Sequence, residues 1–462
     1  MTDYDIAVKI AEKVKDKGGE TYFVGGYVRD KIMGIDNKDI DIEIHGLTST
    51  QIETILDEVG NEIGSSRMEY GKSFGIYSMT GFDIDIALPR TERCVGDTHR
   101  SFDVTFDPMM GTYEASKRRD FTMNALMENV LTGEIIDHFG GQEDIKNHII
   151  RHIDDKTFIE DPLRVLRAAQ FATRFYCEID PKTIELCKKV DISTLPAERI
   201  FMELQKALTK SKQPSIFFYS LLKMNHLGYW FQEVYNLIGI PENQKYHTIG
   251  GDTFKHTMLT IDYCSIAYGD HSEPTIGFML SGLCHDFGKA VSTTVDENGV
   301  VHAINHEHDG LPLVETFLKR LKVGNLLTRM ILNTVKLHML PHQLYFANSN
   351  KKKTNKMFDE AEMKEFLIYL AWADSKASGY DVDYCIDEFA WLDGRLETYL
   401  STMSRKYVTG QDLIDNGLQP SKDFHKILEY AHKLRLAGIE YDNQLRQTLG
   451  YAKTIINEKE ND

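Results

Sequence analysis

Two stretches near the start of the chain alternate strictly between apolar and polar positions. Asp39 to Ile44 reads DIDIEI, and Phe82 to Leu88 reads FDIDIAL. Successive side chains of a strand point to opposite faces, so each stretch predicts a strand with one acidic and one apolar face. Tyr22 to Val24 predicts another strand, running into Gly25-Gly26 and then a helix. Glu92 to Lys117, with Gly96, Pro108 and Gly111, predicts a loop. After about Asp144 the apolar residues recur at helical spacing almost to the end. Asp161-Pro162 followed by LRVLRAAQFATRF predicts an N-cap, a proline at the first helical position and a long helix. The expected architecture is α+β, with an α/β domain over 1–145, helical domains over 146–240 and 241–400, and a helical segment over 401–462.

Composition narrows the class. At 462 residues the chain is too long for one hydrophobic core. It is 42% hydrophobic and 27% charged, as folded chains are. No apolar run approaches the ~18–20 residues of a membrane span. The polar opening residues predict no signal peptide. Six cysteines without a CxxC pair fit a reducing cytoplasm. The net charge of −17 opposes bulk attraction to nucleic acid, although a local basic cleft is compatible with it. Residues 319–356 hold nine Lys or Arg and no acid.

Candidate chemistry starts with the acidic strand faces. Asp39 and Asp41 share a face about 7 Å apart along a strand, and Asp83 and Asp85 repeat the pattern. Carboxylate oxygens suit Mg²⁺, which keeps substrate phosphates as co-ligands, and phosphoryl transfer commonly uses two such ions. The bland alternative is two solvated faces. The neighbourhood favours the site. Gly25-Gly26 lets backbone N–H groups approach a phosphate at a helix start, and Arg29 lies one turn on to take a phosphate charge.

The order strand, Gly-Gly, helix, Asp-x-Asp resembles the nucleotidyltransferase superfamily that includes DNA polymerase β. With VGGYVRDKIMG–KDID, ALPRTER, KRRDFTMNAL and EDPLRVLRAAQF in order, the chain resembles the bacterial tRNA nucleotidyltransferase (CCA-adding enzyme) and poly(A) polymerase family. The resemblance implies a polymerase-β-like catalytic domain followed by a helical neck and body. It implies Asp39 and Asp41 as Mg²⁺ ligands, Asp85 as the third acid, and Gly25, Gly26 and Arg29 around the triphosphate. Asp83 and Glu43 are expected in solvent, and Arg90 at the strand end or substrate. Arg119 is expected on the nucleotide, with Asp120 orienting it or the ribose.

Asp161 and Arg164, three apart at a helix start, share a face. A carboxylate acceptor beside a guanidinium donor matches the amino group and ring acceptor of cytosine or adenine. Guanine and uracil present a carbonyl there and leave polar groups unpaired. The family assigns this templating role to the matching residues. Arg167, one turn on, is expected to face the phosphates. Gln170 departs from the basic residue that many relatives carry there, which weakens the case for a triphosphate contact at that position. Pro196-Ala-Glu-Arg199, through Glu203 and Lys206, resembles a helix that supports the template. The resemblance also makes Thr91–Lys117 the loop used in switching from C to A addition.

Further on, His256, His285-Asp286 and Asp374 follow the order H…HD…D, and LCHDFGKA resembles the HD phosphohydrolase domain of some of these enzymes. Imidazole and carboxylate suit a divalent transition metal. His306 and His338 are candidates for a second metal or a phosphate. The implied function is template-independent addition of CCA to tRNA from CTP and ATP, with a phosphohydrolase behind it. The alternatives are a poly(A) polymerase of the same fold, a hydrolase in which the HD site alone works, and an RNA-binding module. The C-terminal VTGQDLIDNGL favours the tRNA enzyme over the polymerase. A positive track formed by Arg118, Arg119, Arg164, Arg167 and the 319–356 stretch is expected to bind tRNA, with an affinity that falls with salt.

Overall fold

The computed structural model describes residues 1–70, 75–94, 102–107, 109–267 and 275–460. The chain folds as two compact units, 1–211 with 216–230, and 212–215 with 231–462.

The first unit opens with α1 (Asp3–Asp16), β1 (Glu20–Val24), α2 (Gly26–Met33), β2 (Ile40–His45) and α3 (Ser49–Ile63). Then come β3 (Arg67–Tyr70), β4 (Ile76–Met79), β5 (Ile84–Ala87), β6 (Arg90–Cys94), β7 (Phe102–Phe106), α4 (Thr112–Lys117), β8 (Met127–Asn129) and β9 (Ile135–Ile136). One seven-stranded sheet runs β3-β4-β5-β2-β1-β8-β9. β2 and β5 are parallel, and their register sets Asp41 opposite Asp85. Both helices that cover the apolar face start at capping boxes, Thr2 with Asp5 and Thr48 with Gln51. They bury Ile6, Ile10 and Val14 of α1 and Ile52, Ile55 and Leu56 of α3. The alternating isoleucines of β2 and β5 are 0–5% exposed, as the period-2 pattern requires.

The expected loop over 92–117 is more ordered than its composition suggests. β6 and β7 pair as a separate antiparallel hairpin, and α4 follows. The Phe-Asp-Val-Thr-Phe run alternates as a strand does, and the flanking glycine and proline mask that signal. The Arg90 side chain and residues 95–101 lie outside the described residues.

A helical segment follows in the same unit, with α5 (Gly141–Lys146), α6 (Asp155–Glu160), α7 (Leu163–Phe175), α8 (Pro181–Cys187) and α9 (Ala197–Thr209). Pro162 stands at the cap of α7 rather than inside it, and Asp161 Oδ1 accepts the Leu163 N–H at 3.1 Å. α7 packs on α9, and Ala168, Ala169, Leu204 and Ala207 of the two helices are fully buried.

The second unit is almost wholly helical. Thr253–Ile266, Ile276–Cys284, Asn325–Leu337 and Lys364–Ser378 form its centre, flanked by Val382–Ser404. The first of these helices is capped by the Asp252 carboxylate on the Lys255 N–H, 2.9 Å away. Among the described residues no helix is long and apolar enough to cross a membrane.

Candidate active sites

In the first unit, the strand end, the Gly-Gly turn and α7 all meet the segment Arg118-Arg119-Asp120. Gly25 has φ of +65°, and a Cβ there would lie 2.9 Å from Arg119 Nη1 and 4.0 Å from Asp41 Oδ2. Glycine is required at this turn both for its conformation and for the close approach of Arg119. Asp41 is half-buried on β2, while Asp39, just before the strand, and Asp85 are exposed. Burial lifts the Asp41 carboxyl to about 6; Arg119 opposes the rise, and the Asp85, Asp39 and Asp83 charges add to it. Such crowding of oxygen donors with one facing cation fits a hard divalent ion.

Glu43 corrects the expectation that it is solvated. It is 1% exposed and accepts hydrogen bonds from Arg118 Nη2 and His45 Nε2, each at 2.9 Å. Arg119 Nη2 lies 3.8 Å from the same carboxylate. Glu43 therefore aims the arginine pair across the polar face of the sheet.

Arg29, expected at the triphosphate, is surrounded by protein partners. It is 4% exposed, and it donates through Nε to Asp30 and through Nη1 to Asn124, each at 2.7 Å. Its guanidinium lies over the rings of Phe171 and Phe175 of α7, 5.3 and 4.6 Å from their centroids. Gly26 opens α2 beside it.

Asp120 accepts from Asn124 at 2.9 Å and from Arg167 Nε at 2.6 Å, and the half-buried Arg167 also lies over the Phe171 ring. Arg164 donates to the carbonyls of Thr157 and Arg118, each at 2.7 Å, and its guanidinium is thereby fixed beside the arginine pair. Asp161 Oδ2 has a long contact with Arg199, at 3.4 Å. Gln170 is 1% exposed on the packed side of α7.

The second unit brings its predicted residues together around Asp286. Asp286 Oδ2 lies 3.1 Å from His285 Nε2 and 3.4 Å from His256 Nε2. Its Oδ1 lies 3.2 Å from His306 Nε2 and 3.9 Å from His338 Nε2. Asp374 Oδ1 adds to the first group, 3.1 Å from His256. Two donor sets result, His256–His285–Asp374 and Asp286–His306–His338, bridged by one carboxylate.

The tautomers test the fit to metal. His285, His306 and His338 each donate Nδ1–H to a backbone carbonyl, of Gly282, Ala303 and Val335, at 2.6–2.8 Å. In the neutral rings of His306 and His338 the Nε2 lone pairs then converge at 3.2 Å, and the Nε2 of His285 lies 3.3 Å from that of His256. Converging lone pairs repel unless a cation lies among them.

Gly288 makes the approach possible. A Cβ there would fall 1.9 Å from the His306 carbonyl oxygen. Sequence reasoning missed Lys289, Glu242 and His342. Lys289 is buried between Glu242 and Asp286, at 2.9 Å from each. His342, four residues after His338, had the i,i+4 spacing as its signal. Burial disfavours its proton, yet the Glu388 and Asp374 carboxylates outweigh that and lift it to about 10. These residues border a cavity of about 410 Å³.

Sheet, turn and carboxylates define a nucleotidyltransferase head, and the second unit gathers paired His and Asp donor sets of the HD type. The family described as Poly A polymerase head domain matches residues 21–151, and the HD domain family matches 253–378. A multifunctional CCA protein of Haemophilus ducreyi is 31% identical over 380 residues, which are 79% of this chain and 87% of the relative. That of Pasteurella multocida is 30% identical over 411 residues, 86% of this chain and 92% of the relative. The chain belongs to the multifunctional CCA protein family. Two solved structures share the fold. The Bacillus stearothermophilus CCA-adding enzyme in complex with CTP has a TM-score of 0.67 at 19% identity, covering 99% of this chain and 100% of that one. The Thermotoga maritima CCA-adding enzyme complexed with tRNA has a TM-score of 0.60 at 20% identity, covering 96% and 94%.

Proposed function

We propose that the first unit adds C, C and A to tRNA 3′ ends from CTP and ATP, and that the second is a metal-dependent phosphohydrolase. The observation that carries the first reading is the parallel register of Asp41 and Asp85 beside Gly25 and Arg119. Asp39, Asp41 and Asp85 would hold Mg²⁺, which when bound neutralises the triphosphate and favours an ionised 3′ hydroxyl. The chain's own residues bind and orient. The Gly25-Gly26 backbone and Arg119 take the triphosphate, and Glu43 holds Arg118 and Arg119 in place. The RNA 3′ oxygen attacks the α-phosphorus and the bond to the β-phosphate breaks. Pyrophosphate leaves, and the hydroxyl proton passes to solvent.

Arg164, fixed by two carbonyls, and Asp161, with acceptor capacity free, read the edge of cytosine or adenine. Arg29, Asp120 and Arg167 hold the turn and α7 against the arginine segment rather than touching phosphate. In the second unit His256, His285, Asp286, Asp374, His306 and His338 would hold a divalent transition metal, which when bound would acidify water and so supply the nucleophile for phosphoester hydrolysis. Membership of the CCA protein family supports tRNA as the partner, and a cytoplasmic place of action is consistent with that substrate.

Incubating CCA-deficient tRNA with CTP, ATP and Mg²⁺, then weighing the product, tests the reading. A gain of three residues, abolished by Asp41→Asn, supports it. Long A tails assign a poly(A) polymerase, and an unchanged tRNA leaves the HD site as the working centre.

A further inference from the structure

Asp374 differs from the other HD-site ligands in how it is held. It stands on the helix Lys364–Ser378 and turns Oδ1 toward His256, with Ser378 Oγ a further 3.4 Å contact on the same oxygen. Its other oxygen, Oδ2, lies 3.2 Å from His342 Nε2. His342 Nδ1 lies 2.8 Å from Glu388 Oε1, and Glu388 Oε2 accepts the Ser375 hydroxyl at 2.6 Å. Ser375 is the next residue after Asp374, so the chain of contacts closes on itself through three helices.

Glu388 is 0% exposed on the helix Val382–Ser404. A carboxylate buried so deeply carries a large desolvation penalty unless it is paired. The partners it is given are His342 and Ser375, so its place in the core serves the orientation of that imidazole.

We propose that His342 and Glu388 are positioning residues for the HD metal site. They hold Asp374 Oδ2 away from the ion so that Asp374 offers Oδ1 alone. A carboxylate free at both oxygens can chelate through both and fill a coordination position that water or a phosphoester needs. Fixing one oxygen on an imidazole, itself fixed on a buried carboxylate, keeps that position open. Outer partners of this kind typically change metal affinity 10- to 100-fold. The proposal rests on the reading of this site as a metal centre, and the donor convergence described above is independent of it.

The test uses the full chain, stripped with chelator and titrated with Mn²⁺ by calorimetry and electron paramagnetic resonance. Asp374→Ala supplies the baseline, including any Mn²⁺ on the carboxylates of the first unit. His342→Ala and Glu388→Gln are expected to keep the wild-type number of ions, to bind the Asp374-dependent one about 10- to 100-fold more weakly, and to alter its resonance spectrum. His342→Gln, which retains a donor toward Oδ2, recovers part of the affinity. Glu388→Gln keeps the core volume and serves if His342→Ala does not fold. Wild-type affinity and spectrum in both variants overturn the proposal. So does loss of one whole ion in His342→Ala, which makes His342 a ligand. If wild type and Asp374→Ala bind Mn²⁺ alike, the metal reading itself is wrong.

Discussion

Replacing Arg29 with methionine separates an anchor from a phosphate ligand. The guanidinium pairs with Asp30, whose side chain is 2% exposed, at 2.6 Å, and donates to Asn124. Removing one partner of a buried ion pair costs about 3–5 kcal/mol, because the other charge is left without compensation. Loss of two ring contacts adds about 1–2 kcal/mol. Against this, Asn37 still donates to Asp30 at 2.9 Å, Arg174 lies 3.9 Å away, and methionine retains much of the apolar stem.

The net loss is therefore set at about 3 kcal/mol for the first unit. With a urea slope of about 2–3 kcal/mol per molar, its unfolding midpoint falls by about 1 M. Asp30→Asn added to Arg29→Met removes the orphaned charge and recovers about half of that loss. Below the transition, KM for CTP in tRNA extension changes by less than about threefold, since the guanidinium is committed to Asp30 and Asn124. Circular dichroism in urea and steady-state kinetics measure the two quantities. An unchanged midpoint with a KM raised tenfold or more would refute the reasoning and return Arg29 to the triphosphate.

Other outcomes follow from single contacts. Gly288→Ala pushes the His306 segment off Asp286 and removes at least one of the HD-site ions in metal analysis, while CCA addition persists; full metal content refutes the packing argument. Asp262 accepts both the Ser215 N–H and hydroxyl, and burial above all raises its carboxyl to about 6. Its folded-state pKa is above the unfolded value near 3.8, so the native state binds the extra proton and stability falls as pH rises from about 4 to 6. Asp262→Asn is accordingly stabilised relative to wild type by roughly 2–3 kcal/mol on going from pH 4 to pH 7, read from urea unfolding at both pH values; a pH-independent difference counts against it. Asp161→Ala removes the acceptor for the base amino group. The ratio of CTP to UTP incorporation should drop by about 10²-fold, and an unaltered ratio assigns base choice to other residues.

Much of this protein was legible in short windows of sequence. The alternation in DIDIEI and FDIDIAL requires strands with one acidic face, because the side-chain period of a strand is two. The Gly-Gly turn, the arginine segment and the H…HD…D order are local or ordered signals, and they led to the family. What each charged residue does was settled by partners far along the chain. Glu43 stands on the acidic face with Asp39 and Asp41, yet it is buried because Arg118, 75 residues later, folds over it. Arg29 follows the Gly-Gly turn as a phosphate ligand would, yet Asn124 lies 95 residues on and two phenylalanines of α7 receive its flat face. His342 and Glu388, 46 apart, are joined by no sequence motif. Desolvation is the physical reason for the difference. A sequence shows which groups can carry charge, but only packing decides which lose water, and a charge that loses water must find its counterpart wherever the fold has put it.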